Sequence, residues 1–158
     1  MIEIEWMSYL SGRPAPTEDD LAQLERHTGL ELPEDYRRVV RQHAGQAPRH
    51  GRVSFGEGAQ GGSTFVALFF VSTEREFLFD PDNVFGALRS FRDWADGQPW
   101  AERMLPIGSN SAAGVFCLDY REVGPPKMTF ADKYEDPDYD KALLPVADSF
   151  GDLLAKLS

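Results

Sequence analysis

Residues 29–45 read GLELPEDYRRVVRQHAG, and the proline inside this stretch constrains the fold more than any other feature. Proline lacks a backbone N–H, so it breaks a helix interior, yet it suits the first helical position, where that donor would have had no partner. Pro33 is therefore read as the start of a helix. Tyr36, Val39, Val40 and His43 follow at i, i+3, i+4 and i+7, which makes one inward stripe. Glu34, Asp35, Arg37, Arg38 and Arg41 face mostly outward, and Gly45 ends the helix. The preceding PAPTEDDLAQLERHTG has the same grammar: Thr17 caps it, Asp20 three residues on completes a capping box, Leu21 and Leu24 share a face, and Gly29 sits just past its end. Two short amphipathic helices joined through LELP make a corner, anchored to the layer below by Leu30 and Leu32.

After this corner the pattern changes. APRHGRVSFGEGAQGGS is loop-like and rich in glycine, with a short strand at Arg52 to Phe55. TFVALFFV is a continuous apolar, β-branched and aromatic run, which predicts a central strand buried on both faces. REFLF reads as a further strand or an extended arm. DPDNVFGALRSFRDWADG predicts a third helix, with Pro81 near its start, Val84, Ala87, Leu88, Phe91, Trp94 and Ala95 on one face, and Gly97 after its end. Gly86 is a weak residue in its first turn. RMLPIG, GVFCLDY and KMTFA are three short strands, the last two joined by the turn REVGPP. VADSFGDLLAKLS closes the chain with a helix: Ser149 and Asp152 form a second capping box, and Phe150, Leu153, Leu154 and Leu157 form its buried stripe. The sum is an α+β fold: one compact domain over residues 1–158, a mainly antiparallel sheet packed against helices, two helices at the N-terminus and one at the C-terminus.

Several functions are disfavoured by the same residues. No apolar run approaches the roughly 20 residues a membrane span needs, and MIEIEWMSYLSG has acids where a signal peptide needs basic residues; the expectation is a cytoplasmic chain that does not engage membranes. Cys117 is the only cysteine, so an internal disulfide is impossible, and inside an apolar strand its thiol is inert. His27, His43 and His50 lack metal-ligand spacing with one another or with Cys117, so no metal and no cofactor are expected. GEGAQGGS shares only composition with a phosphate-binding loop. DPDNV and EDPDYD lack the central glycine and distal glutamate of an EF-hand. The formal net charge of −10 repels a phosphate backbone, so no nucleic-acid partner is expected, but it steers the protein toward a basic one. No cluster in the sequence assembles into an enzyme active site.

Three segments carry a resemblance. LELPEDYRRVVRQHAG resembles the helical-corner signature of the SUKH superfamily (Smi/Knr-type domains). LPIGSNSAAGVFCLDY looks like that family's strand pair, and VADSFGDLL is similar to its closing helix. They occur in the family's order and span nearly the whole chain. Two loops depart from the pattern: Ala112 and Ala113 precede Gly114 where an acidic or Asn/Gly turn is more usual, and the loop Ala47 to Gly62 is unusually rich in glycine. The resemblance implies an α+β domain with no enzymatic activity, similar in bacteria to immunity proteins that neutralise toxins, many of them nucleases or deaminases. The alternative it implies is a regulatory or scaffolding module like those of the fungal regulators of cell-wall synthesis.

For either role the suggestive surface is FADKYEDPDYDKALLP. It sets Asp132, Glu135, Asp136, Asp138 and Asp140 around Tyr134 and Tyr139. The tyrosines offer area and hydrogen bonds, and the acids offer steering and charge pairing. A basic toxin protein is the expected partner, since a nuclease must itself attract phosphate. Trp100 is a second candidate anchor. Asp119, at the end of GVFCLDY, is a candidate for orienting either a turn or an interface arginine, with the turn favoured. Strand edges leave a monomer or a weak homodimer open.

Overall fold

In the computed structural model of the chain the described residues are 3–58 and 61–158, without the side chain of Asp140. Ala59 and Gln60, in the middle of GEGAQGGS, thus lie outside them. The helical corner forms as its residues dictate. Helix α1 spans Glu18–Thr28 behind a complete capping box: the Asp20 backbone N–H donates to Thr17 Oγ1 (3.0 Å), and the Thr17 N–H donates to Asp20 Oδ2 (2.8 Å). Gly29 ends it in the left-handed region at φ 70°. Leu30 and Leu32 are buried, and the Leu32 N–H donates to Glu25 Oε2 at 2.8 Å, so α1 itself grips the corner. Helix α2 spans Glu34–His43. Pro33 sits one position earlier than its sequence suggests: with φ −69° and ψ 148° it is the capping residue. The physical reason still holds, because a proline there interrupts no helical bond. Tyr36 and Val40 are buried from α2, and Tyr36 meets Phe150 edge-on at 5.4 Å between ring centroids.

The main sheet has five strands in the order β5-β6-β7-β8-β9, every ladder antiparallel: β5 Ala67–Leu68, β6 Met104–Ser109, β7 Gly114–Asp119, β8 Lys127–Asp132 and β9 Leu143–Ala147. Two small antiparallel pairs flank it: β1 (Trp6–Ser8) with β2 (Gln46–Pro48), and β3 (Arg52–Phe55) with β4 (Gly62–Phe65). Alternation along β7 divides the core. Phe116 packs with its cross-strand partner Phe130 (5.1 Å), which stacks in turn on Phe55 (4.6 Å). Val115, Cys117 and Asp119 point to the other face, part of which is covered by helix α3, Val84–Ala95. Helix α4, Phe150–Ala155, starts where the Ser149 hydroxyl accepts the Asp152 N–H at 3.0 Å; the Gly151 N–H donates to Asp35 of α2 at 2.9 Å.

Two sequence expectations are corrected. TFVALFFV is not a central strand. Its first residues, Thr64 and Phe65, pair with β3, the ladder ends before Val66, and Ala67–Leu68 forms the edge of the main sheet. The run is apolar because its edge is covered: Phe69 N–H bonds Ile107 O (2.9 Å), and Phe70 exchanges bonds with the chain entering α3, through Asp82 O (3.0 Å) and the Val84 N–H (2.9 Å). REFLF is no strand either, since Arg75–Phe77 is a 3-10 turn. Strands β1, β2 and β9 escaped the sequence reading because each is short and takes its burial pattern from partners distant in sequence. No helix among the described residues is long and apolar enough to cross a membrane.

Candidate functional site

Strand β8 ends at Asp132 and β9 begins at Leu143, and the acidic segment between them is folded as a chain of turns. Asp132 Oδ1 accepts the Tyr134 N–H (3.0 Å), and Asp132 O accepts the Glu135 N–H (3.1 Å). The pattern repeats at Asp136, whose Oδ1 accepts the Asp138 N–H (2.9 Å) and whose carbonyl accepts the Tyr139 N–H (2.9 Å). Aspartate suits these positions because its side chain mimics a backbone turn. A 3-10 turn, Asp140–Ala142, leads into β9.

These turns rest on an aromatic base. Phe91, Trp94 and Trp100 form a triangle with ring centroids 5.6, 5.9 and 6.0 Å apart. The Trp94 indole N–H donates to Glu135 O at 3.0 Å, Lys133 Nζ donates to Ser90 Oγ at 3.2 Å, and the Gln98 amide donates to the Asp138 carboxylate. Lys141 lies 3.6 Å from Glu135. The segment is thereby tied to α3 and to the turn after it. Tyr134 remains 82% exposed and Tyr139 58% exposed, so their hydrogen-bonding and apolar surface is offered outward. Asp136 and Asp138 are exposed, Asp132 and Glu135 half-buried. Trp100 is half-buried and packs on Trp94, the residue that bonds the ridge. Trp94 was readable only as one of several inward residues of α3; its bond to the ridge has no local signature. The turn bonds along the segment reduce the loop freedom it has to lose on binding.

Asp119 lies elsewhere. In the β7–β8 ladder Asp119 faces Lys127 and Gly114 faces Asp132, so Asp119 and the ridge occupy opposite ends of the sheet. Asp119 is 7% exposed. Its oxygens accept the Arg121 guanidinium (2.7 to 3.1 Å), the Arg121 N–H (3.0 Å) and Thr129 Oγ1 (2.6 Å). It thus organises the turn after β7. Burial alone would raise its pKa; the bonds from Arg121 and Thr129 outweigh burial and hold it below the usual carboxylate range. A carboxylate with a depressed folded pKa stabilises the fold above its unfolded pKa and loses that contribution as pH falls through the folded value. Asp119→Asn is therefore expected to lower the urea midpoint at pH 7, with the gap to wild type closing as pH falls below about 4. An equal gap at pH 7 and pH 3 would contradict this linkage.

Cys117 is fully buried, and burial first, then Asp119, raises its thiol pKa well above the ordinary value. His43 stacks on Trp6 at 4.4 Å and its Nδ1 lies 2.8 Å from Gln46 Oε1, a packed histidine that pins β1. Among the described residues no three His, Cys, Asp or Glu side chains are grouped so as to hold a metal ion.

Compared with protein families, residues 15–156 match the model of the SMI1 / KNR4 family (SUKH-1). No curated protein matches the chain.

Proposed function

Because this chain belongs to the SMI1 / KNR4 family (SUKH-1), we propose that it is an immunity protein, which binds a basic protein toxin one to one and blocks it without chemistry of its own. The observation that carries the reading is the ridge from Asp132 to Tyr139, where two exposed tyrosines and four carboxylates lie on a segment bonded to Trp94 and Gln98. Such a surface complements an active site that attracts phosphate: the carboxylates stand where the substrate's charges would, and the tyrosines fill the space between cationic side chains. The side chain of Asp140 lies outside the described residues, and its place on the ridge is part of the proposal. Asp119 shapes a turn at the far end of the sheet and takes no part in this surface, and Trp100 stands beside it only through its packing on Trp94.

Co-expression with the product of the neighbouring open reading frame tests this reading. Growth rescue together with a stoichiometric complex supports immunity; a non-toxic neighbour and no complex would move the protein to the regulatory role of the fungal relatives. Within such a complex, Tyr134→Ala is expected to weaken binding by about 30-fold, the scale of an aromatic hot spot. Asp136→Asn with Asp138→Asn is expected chiefly to slow association and flatten its salt dependence. Calorimetry and stopped-flow mixing at two salt concentrations read both effects. An interaction indifferent to salt and to all three substitutions would remove the ridge from the interface.

A further inference from the structure

Helix α3 has a second flank. Its side away from the ridge forms, with α1 and the 3-10 turn before α3, an open cleft of about 510 Å3. The floor is apolar, made by Leu78, Phe85 and Leu88. Phe79 stands at its edge 69% exposed, with the Arg89 guanidinium over its ring at 4.5 Å. Arg92 lines the same cleft, and among the described residues its Nε is buried without an acceptor. Among the described residues neither Arg89 nor Arg92 has a carboxylate within 4.0 Å, although Asp93 also lines the cleft. In a chain of net charge −10, an apolar floor under two arginines unpaired with acid is a local reversal of sign.

We propose that this cleft is a second docking site, which takes an acidic segment of a protein partner by one apolar anchor residue and an adjacent carboxylate. The anchor rests on Leu78, Phe85 and Leu88. The carboxylate accepts from the terminal N–H groups of the Arg92 guanidinium, while Arg89, held flat on Phe79, closes over it. The volume lies within the range of sites that hold a ligand of that size. The site is opposite in charge to the ridge, lies across α3 from it, and does not depend on what the ridge binds.

Panning a random dodecapeptide library on the whole immobilised protein tests this. The expected result is a class of peptides with one Phe, Trp or Leu beside Asp or Glu. A synthetic member of that class should shift the backbone amide resonances of Leu78, Phe79, Leu88 and Arg89. Arg89→Glu with Arg92→Glu is expected to weaken that peptide by about 30-fold or more, and the milder Arg89→Ala by less. Asp136→Asn with Asp138→Asn should leave it unchanged. Three outcomes would overturn the proposal: no acidic class is enriched; its peptides bind the arginine variants equally well; or the cleft proves to be occupied by a second copy of the chain, seen as concentration-dependent dimerisation that Arg89→Ala abolishes.

Discussion

Replacing Gly86 by alanine is expected to destabilise the protein by about 3 kcal/mol, against a helix propensity that favours alanine by about 1 kcal/mol. A Cβ built on Gly86 would lie 2.1 Å from Asp80 O, 2.8 Å from Asp80 C and 3.0 Å from Phe79 C. These are backbone atoms and cannot rotate away. Neither side has room to retreat. Asp80 is held by its N–H to Phe77 O (3.0 Å), by the Asn83 N–H to its carbonyl (3.0 Å), and by Arg13 on its carboxylate (3.1 Å). The start of α3 is held by the Val84 N–H to Phe70 O at 2.9 Å. The clash wins because relieving it breaks bonds at the sheet edge. Urea unfolding measures the loss. Gly97→Ala is the comparison: Gly97 has φ 77° and open space around it, so only its backbone conformation is penalised, at about 1 kcal/mol. A Gly86→Ala protein as stable as wild type, or more stable, would show that propensity decides this position.

Asn83→Ala is expected to cost about 3 kcal/mol, which places Asn83 among the most sensitive positions outside the apolar core. The side chain is fully buried. Its amide donates to Ser72 O (2.9 Å) and Phe77 O (2.9 Å), and its oxygen accepts the Ser72 N–H (3.2 Å). Alanine would leave these three main-chain groups without partners, at least two of them away from water, and an unmet buried group costs about 1–3 kcal/mol. Asn83 also precedes α3, so the loss would loosen the helix that carries both the ridge and the cleft. The expected signature is a lower urea midpoint with an unchanged slope. Hydrogen exchange should rise first at Ser72 and Phe70. Exchange unchanged at these amides would mean that the segment 70–77 stands without Asn83.

Legibility followed the range of the forces involved. The capping box at Thr17, the left-handed Gly29, the stripes of α1 and α2 and the hairpin through REVGPP are set by residues within a few positions of one another, and each formed as its sequence predicts, whereas the helix from Ser149 formed with only the Asp152 N–H to Ser149 half of its expected capping box and ended at Ala155, before Leu157. TFVALFFV misled because apolarity reports burial and does not report what does the burying. A strand sealed by the chain at residues 82–84 reads the same as a strand between two others. Gly86 and Asn83 were visible as a weak helix residue and an unremarkable polar one. Their reasons lie in Asp80 and Ser72, which only the folded chain brings against them.

The candidate site divides in the same way. Its acids and tyrosines were evident from composition within ten residues. That Asp119 stands at the other end of the sheet, that Trp100 packs on Trp94, and that Trp94 holds Glu135 follow from strand register and from the packing of α3. By itself the sequence determined the helical corner, the strand hairpin, the α+β class and the family, because local bonding and periodicity are written residue by residue. Only the tertiary structure decided which edge of the sheet is closed, why Gly86 tolerates no side chain, and that α3 separates an acidic ridge from a cationic cleft. Those depend on distances between groups far apart in the chain, and the sum of many weak contacts sets them.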